Sequence, residues 1–180
     1  MDNSKLIEKA KAIKLLLLDA DGVLTDGRII YDDQGRELKC FNVRDGHGIR
    51  LLIRTGIEVG IISGRASKAL EYRAKELDIS ILYQKIFDKI KVYDEIVKEK
   101  GLEDSRICYV GDDLVDLPLM RKVGLSVSVA DGCEHIKEGV DYITTKKGGN
   151  GAVREVCELI LNAQGKWEAI TDKYFRDNDE

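Results

Sequence analysis

Several marks of familiar protein classes are scarce or missing in this sequence. In 180 residues there is one proline, one tryptophan and two histidines. The four cysteines, Cys40, Cys108, Cys133 and Cys157, are widely scattered, with no CxxC pair and no Cys/His cluster at zinc spacing, so reduced thiols are expected. His47 and His135 are too few and too far apart to suggest a zinc site. No apolar run approaches the ~20 residues that a membrane span needs. The opening "MDNSKLIEKAKAIK" is polar and charged, unlike a secretory signal, so a cytoplasmic location is expected. A net charge of -4 argues against nucleic acid as the main partner, since phosphate-backbone binding needs a basic face. Walker-type GxxxxGK[ST], GxSxG and HExxH are absent. An EF-hand loop starting at Asp19 fails as well, because Gly22 comes too early, position 23 is valine and the twelfth residue is Ile30.

What is present is an alternation. Short apolar runs rich in β-branched residues ("KLLLLDA", "VGIIS", "ISILYQ", "ICYVGD", "LSVSVA", "DYITT") alternate with amphipathic stretches of helical length. This pattern predicts an α/β fold with a Rossmann-like parallel sheet flanked by helices. A chain of this length fits one domain, 1–180, that buries roughly 70% of its unfolded surface. Asp45 and Asp88 are expected to be helix N-caps, and Gly101 a C-cap. The segment "GRIIYDDQGRELKCFNV" breaks the alternation and reads as a β-hairpin, about 28–41, joined by the turn "DDQG". The stretch about 149–180 reads as a glycine-rich turn, an amphipathic helix and a frayed polar tail, "TDKYFRDNDE".

In an open parallel sheet, ligands bind beyond the carboxyl ends of the strands. The residues expected there are Asp19 and Asp21, then Ser63, Gly64 and Arg65, then Asp112 and Asp113, with Lys89 opening the helix after the third strand. Taken singly, each has an ordinary reading as a turn, cap or solvated residue. Jointly they suit phosphate chemistry. Mg²⁺ prefers carboxylates, waters and substrate phosphate, which fits Asp19 and Asp112. The Ser63 hydroxyl and Lys89 can hold phosphoryl oxygens. One carboxylate can attack phosphorus while a neighbour two residues on handles protons.

As a set, "DADGVLT", "ISGR", Lys89 and "GDDLVD" resemble the four motifs of the haloacid dehalogenase superfamily, in order. "DGVLTDG", "FNVRDGHGI", "YVGDDLVDLPLM", "VGLSVSVADG" and "GGNGAVREVCELIL" further resemble the 3-deoxy-D-manno-octulosonate 8-phosphate phosphatase family, which serves lipopolysaccharide-precursor synthesis. Ala20 departs from the larger apolar residue more usual there, and Lys91 stands by as a second candidate for the third-motif lysine. The resemblance implies Asp19 as nucleophile and metal ligand. It implies Asp21 as general acid/base and as a metal ligand through its carbonyl, and Asp112 as completing the Mg²⁺ site. Ser63 and Lys89 would hold the phosphoryl group, while Asp113 and Asp116 would orient neighbours. The substrate, a phosphorylated sugar acid, would meet Asp21, Lys89, Asn42, Val43, Arg44, Asp45 and Gly46, with Arg50, Arg65 and Arg73 supplying guanidinium groups. The resemblance also implies a hairpin in place of a cap domain, and a homotetramer in which the Gly148 to Gly151 turn and the tail reach a neighbouring site. A nine-carbon sugar-acid phosphate is the alternative substrate. A receiver-type signalling module would need its phosphoacceptor aspartate after "VGIIS", where none occurs, and an idle assembly domain would not need every motif residue.

Overall fold

The four leucines at 15–18 are all buried, yet they serve two different cores. In the computed structural model, which describes residues 3–176, they form β1 (Leu15–Leu18). Leu16 and Leu18 pack into one apolar cluster, Leu15 and Leu17 into another. Successive strand side chains point to opposite faces, and here both faces are covered, so the run shows no polar alternation.

The six expected strands are all found. β1 is joined by β4 (Glu58–Ile62), β5 (Ile81–Tyr83), β6 (Ile107–Gly111), β7 (Leu125–Ser128) and β8 (Tyr142–Ile143), wholly parallel, in the order β5-β4-β1-β6-β7-β8. Leu18 stands level with Ile61 on one side and Val110 on the other. The residues after β1, β4 and β6 therefore emerge side by side. The chain builds outward from β1 to β5 and then crosses to β6, so these three ends flank the switch point where α/β sheets bind ligands.

One face carries α1 (Asn3–Ala12), α2 (Val43–Arg54), α3 (Lys68–Glu76) and α7 (Ala152–Ala163); the other carries α4 (Lys89–Lys100), α5 (Leu117–Met120) and α6 (Glu134–Lys137). Among the described residues no helix is long and apolar enough to cross a membrane, and the four cysteines are unpaired. The expected hairpin consists of β2 (Ile30–Tyr31) and β3 (Glu37–Leu38), antiparallel and separate from the main sheet. Its turn is held by the Asp32 carboxylate, which accepts from the amides of Gln34 (2.9 Å) and Arg36 (2.8 Å).

Two expectations need correction. The tail is not frayed from its start: its first residue, Thr171, is buried and ends α8 (Trp167–Thr171), its hydroxyl donating to the Trp167 carbonyl (2.7 Å), and Asp172–Tyr174 form a 3-10 turn that brings the Tyr174 hydroxyl to 3.1 Å from His47 Nε2. Residues 177–180 of that expected tail lie outside the described residues. Asp88 does cap α4 through the Lys91 amide (3.3 Å), and Gly101 closes the helix at φ +61°, but Asp45 does not cap its own helix. Asn42 does so, accepting from the Arg44 amide (2.8 Å) and the Asp45 amide (3.4 Å). Asp45, one turn inside α2 and buried, turns instead to the start of α7 and accepts from the amides of Arg154 (2.7 Å) and Gly151 (3.2 Å). A helix start leaves several amides without intrahelical partners, and a carboxylate from a neighbouring helix satisfies them as well as a local cap.

Asp45→Ala should therefore destabilise the fold by about 1–3 kcal/mol, since it leaves part-buried amides without an acceptor. Urea unfolding of the wild type, Asp45→Ala and Asp45→Asn checks this, the asparagine variant retaining one acceptor oxygen and losing less. An unchanged midpoint for Asp45→Ala would show that this clamp contributes nothing.

Candidate active site

β1 delivers Asp19 directly to the sheet edge. Its amide donates to the Val110 carbonyl (3.0 Å), which continues the ladder one residue past the strand and fixes the backbone. The side chain is 7% exposed, and its Oδ1 accepts from the Ala20 amide (2.7 Å) and lies 3.1 Å from Lys89 Nζ. Among the described residues no hydrogen bond reaches Oδ2. Burial, with the Asp116 carboxylate beside it, raises the Asp19 pKa to about 6 against the opposing pull of Lys89.

Lys89 enters from the first turn of α4 and is 5% exposed. Its ammonium donates to Asp116 Oδ1 (2.6 Å) and to the Tyr109 hydroxyl (3.0 Å) in addition to its ion pair with Asp19. Burial alone would lower its pKa, but Asp19 and Asp116 outweigh it and hold the ammonium above its ordinary value. Lys91 is exposed, so of the two candidate lysines only Lys89 stands in the cluster.

Asp112 follows β6. Burial, then Asp116, Asp19 and Asp113, push its pKa up to about 8. Gly22, at φ +86°, lets the loop after Asp21 pass so close that a Cβ there would run into the Asp112 carboxylate. Asp19, Asp112 and Asp116 each offer an oxygen within 4.8 Å of the others. With all three ionised, three carboxylates against one ammonium leave two negative charges, which the two positive charges of a magnesium ion would balance. The donor set is all oxygen, as a hard cation requires. Asp116 is the poorer ligand of the three. Its Oδ1 already accepts from Lys89 and from Tyr109 (2.6 Å), and its Oδ2 from the amides of Asp112 (2.9 Å) and Asp113 (3.2 Å). Asp113 turns away to cap the following turn through the Leu114 amide (2.8 Å).

Asp21 faces a different environment. Lys39, reaching in from the hairpin, binds its Oδ1, while Oδ2 is buried without a hydrogen bond and lies 3.5 Å from Arg65 Nε. Arg65 also donates to Glu37 Oε1 (2.9 Å), so hairpin, Asp21 and the β4 loop are tied together. Ser63 is buried at the end of β4, its amide donating to the Tyr83 carbonyl (2.9 Å) and its Oγ accepting from the Arg65 amide (3.3 Å). Asp19, Asp21, Ser63, Arg65 and Lys89 line one pocket of about 290 Å³, with the 96% exposed Phe87 on its wall.

The expected substrate residues divide between places. Asn42, Val43 and Arg44 line a larger cleft of about 830 Å³ beside Asn150 and Arg154, distinct from the Asp19 pocket. Asp45 is committed to α7, and Gly46 makes room for Arg73, whose guanidinium a Cβ at that glycine would meet. Arg73 donates to Glu76 Oε2 (2.8 Å) and to the Asn42 carbonyl (3.2 Å); Arg50 pairs with Asp78. Within this chain neither arginine reaches the pocket, whereas Arg65 does. The Gly148 to Gly151 turn braces the chain's own loop, with the Gly149 amide donating to the Val23 carbonyl (2.9 Å). Tyr109, Lys39 and Glu37 are site residues that sequence reasoning missed. The hydroxyl inside the apolar strand "ICYVG" was a usable signal for Tyr109. Period-2 alternation on β3, which puts 37 and 39 on one face, was a usable signal for the other two.

The raised pKa values fix the sign of a pH effect. Without metal, Asp112 (about 8) and Asp19 (about 6) hold protons in the folded state that the unfolded chain, with an ordinary value of 3.8, has released. Their stabilising contribution is thus fully present below 3.8 and is lost as pH rises to about 8. The thermal midpoint of metal-free protein should fall across this window. Mg²⁺ at about 100 Kd should restore roughly 2.7 kcal/mol. Asp112→Asn should flatten the pH dependence and abolish the Mg²⁺ response; a wild-type midpoint indifferent to Mg²⁺ at the alkaline end would rule out the metal site.

Known proteins resemble this chain in sequence and fold. The profile of the haloacid dehalogenase-like hydrolases matches residues 79–156. The 3-deoxy-D-manno-octulosonate 8-phosphate phosphatase of Yersinia pestis is 51% identical over 166 residues, covering 92% of this chain and 89% of its own. The crystal structure of the Moraxella catarrhalis 3-deoxy-D-manno-octulosonate 8-phosphate phosphatase, in complex with magnesium ion, phosphate ion and KDO, superposes with a TM-score of 0.94 at 48% identity, over 96% of this chain and 99% of that one. The cobalt-bound phosphatase of Haemophilus influenzae gives a TM-score of 0.87 at 39% identity, over 93% and 98%. The chain belongs to the 3-deoxy-D-manno-octulosonate 8-phosphate phosphatase family of haloacid dehalogenase-like hydrolases.

Proposed function

We propose that the protein is a Mg²⁺-dependent phosphomonoesterase that hydrolyses 3-deoxy-D-manno-octulosonate 8-phosphate to the free sugar acid and phosphate, in the synthesis of lipopolysaccharide precursors. The carrying observation is that two carboxylates on one loop, Asp19 and Asp21, line the same pocket in opposite settings. Asp19 is locked by strand, amide and Lys89 with Oδ2 unbonded, and Asp21 is held from the hairpin side with its own Oδ2 bare.

The chemistry follows from those settings. Asp19 Oδ2 attacks phosphorus and the bond to the sugar oxygen breaks, with Asp21 giving that oxygen its proton. Water then attacks the aspartyl-phosphate, Asp21 takes up the water's proton, and phosphate leaves with the Asp19 carboxylate restored. Lys89 and the hydroxyl of Ser63 face the phosphoryl oxygens, whose charge they offset as it builds. Asp19, Asp112 and the Asp21 carbonyl would hold Mg²⁺, which supplies further neutralisation of phosphoryl charge. Asp116 and Tyr109 keep Lys89 in place. Arg65, at the pocket mouth, is the guanidinium best placed to pair with a substrate carboxylate.

Wild type with Mg²⁺ should release phosphate from the eight-carbon sugar-acid phosphate in preference to a nine-carbon analogue. Asp19→Asn should lose roughly a thousandfold or more in kcat. Phosphate release is the measurement, and turnover surviving in Asp19→Asn would overturn the assignment of the nucleophile.

Assembly completes the reading. Ile29, Tyr31 and Leu38 of the hairpin are each more than half exposed, as are Val43 and Phe87 around the two cavities. A two-stranded hairpin is only marginally stable by itself, so such a surface suits packing against copies of the chain as a homotetramer. The expected outcome of sedimentation at micromolar concentration is a tetramer; monomer alone would refute it.

A further inference from the structure

The hairpin reaches the pocket through charge: its Lys39 and Glu37 pair with the lining residues Asp21 and Arg65. Lys39 follows β3, and its side chain is only 2% exposed. Lysine is rarely so buried unless it is paired. Here it is paired twice, with Asp21 Oδ1 and with Glu37 (3.2 Å), which is itself held by Arg65. Arg65 closes the ring on Asp21 Oδ2 at 3.5 Å. Two acids and two bases thus form a closed circuit in which hairpin residues supply one of each. Lys39 does not line the pocket, whereas Asp21 and Arg65 do.

We propose that Lys39 is a positioning residue for Asp21: its ion pair with Oδ1 stops the carboxylate from swivelling and so reserves the bare Oδ2 for proton transfer to the leaving oxygen. The terminal torsion of an aspartate is broad and roughly two-fold, so an untethered carboxylate exchanges its two oxygens freely. Oδ1 is occupied by the ammonium at hydrogen-bond distance, whereas Oδ2 has no hydrogen bond and only the longer 3.5 Å ion pair with Arg65, so Oδ2 is the oxygen left to meet the leaving group. The hairpin thereby becomes a condition of catalysis without lining the pocket itself. In balance, the sugar oxygen leaves phosphorus with the bonding pair and takes the proton from Asp21 Oδ2, while the new bond forms between phosphorus and Asp19.

This inference rests on the phosphatase reading, and its test separates the two. With full-length, Mg²⁺-loaded protein, kcat/KM is compared for the alkyl sugar-acid phosphate and for p-nitrophenyl phosphate, whose phenolate departs without a proton. This parameter reads phosphoryl transfer to Asp19 and not the later hydrolysis. Lys39→Met should lower kcat/KM for the alkyl phosphate about 10–100-fold, part of the 10²–10⁴ that a general acid supplies, while leaving the aryl phosphate within about threefold. The aryl activity doubles as proof of folding, and Lys39→Arg, which keeps the cation, should recover most of the loss. In an Asp21→Asn background Lys39→Met should cost nothing more, because its effect runs through Asp21. Equal losses on both substrates, or a loss that persists undiminished beside Asp21→Asn, would overturn the proposal by assigning Lys39 to the fold or to direct substrate contact. A wild type inactive on every alkyl phosphate would instead sink the phosphatase reading itself.

Discussion

One buried ammonium holds the edge of this sheet together. Lys89 touches Asp19, Asp116 and Tyr109, and each of those groups would be costly to bury without it. Removing one member of a buried ion pair commonly costs 3–5 kcal/mol, because the remaining charge is stranded. Lys89 cannot balance the whole cluster, and the residue of that imbalance appears at Asp112, the carboxyl most reluctant to ionise. A site held short of positive charge in this way is prepared for a dication and for a phosphate brought with it.

The scaffold explains why these groups can be held so closely. β1 lies in the middle of the sheet with partners on both sides, so Asp19 inherits the rigidity of a strand that cannot fray. Asp112 and Ser63 inherit the same from β6 and β4. Asp21 has no such support, since it sits past the strand on a loop that Gly22 turns sharply. Its partners come from the hairpin and from Arg65. The proposed nucleophile is therefore fixed by the sheet, and its proposed proton-handling neighbour by the hairpin inserted after β1.

The part of the site that reads the rest of the substrate is divided. Arg65 faces the phosphate pocket, but Asn42, Val43 and Arg44 open onto the wider cleft, and Arg50 and Arg73 are engaged with acidic partners of their own chain. The hairpin leaves Ile29, Tyr31 and Leu38 exposed. The groups proposed for phosphoryl chemistry come together within one chain, whereas those proposed to read the sugar acid do not.

The six strands along the chain, the positions of Asp19, Asp21, Ser63, Lys89 and Asp112, and the hairpin were all legible because they are written locally, whereas the order of the strands in the sheet was not. Apolar period sets each strand, and a strand end sets which residues reach the edge. Asp45 was misread because a cap is a local pattern until a second helix competes for it: Asn42 took the near amides, and α7 brought others from more than a hundred residues away. Thr171 to Tyr174 looked like tail because their composition is polar, and one of the contacts that holds them, Tyr174 on His47, joins residues more than a hundred positions apart. Lys39, Glu37 and Tyr109 carry no motif, and their roles arise only where hairpin, β6 and the β1 loop meet. The sequence by itself determined the chemistry available, since residue type and strand register are short-range properties. Only the tertiary structure decided which charge answers which, because an ion pair depends on distance in space and not on separation along the chain.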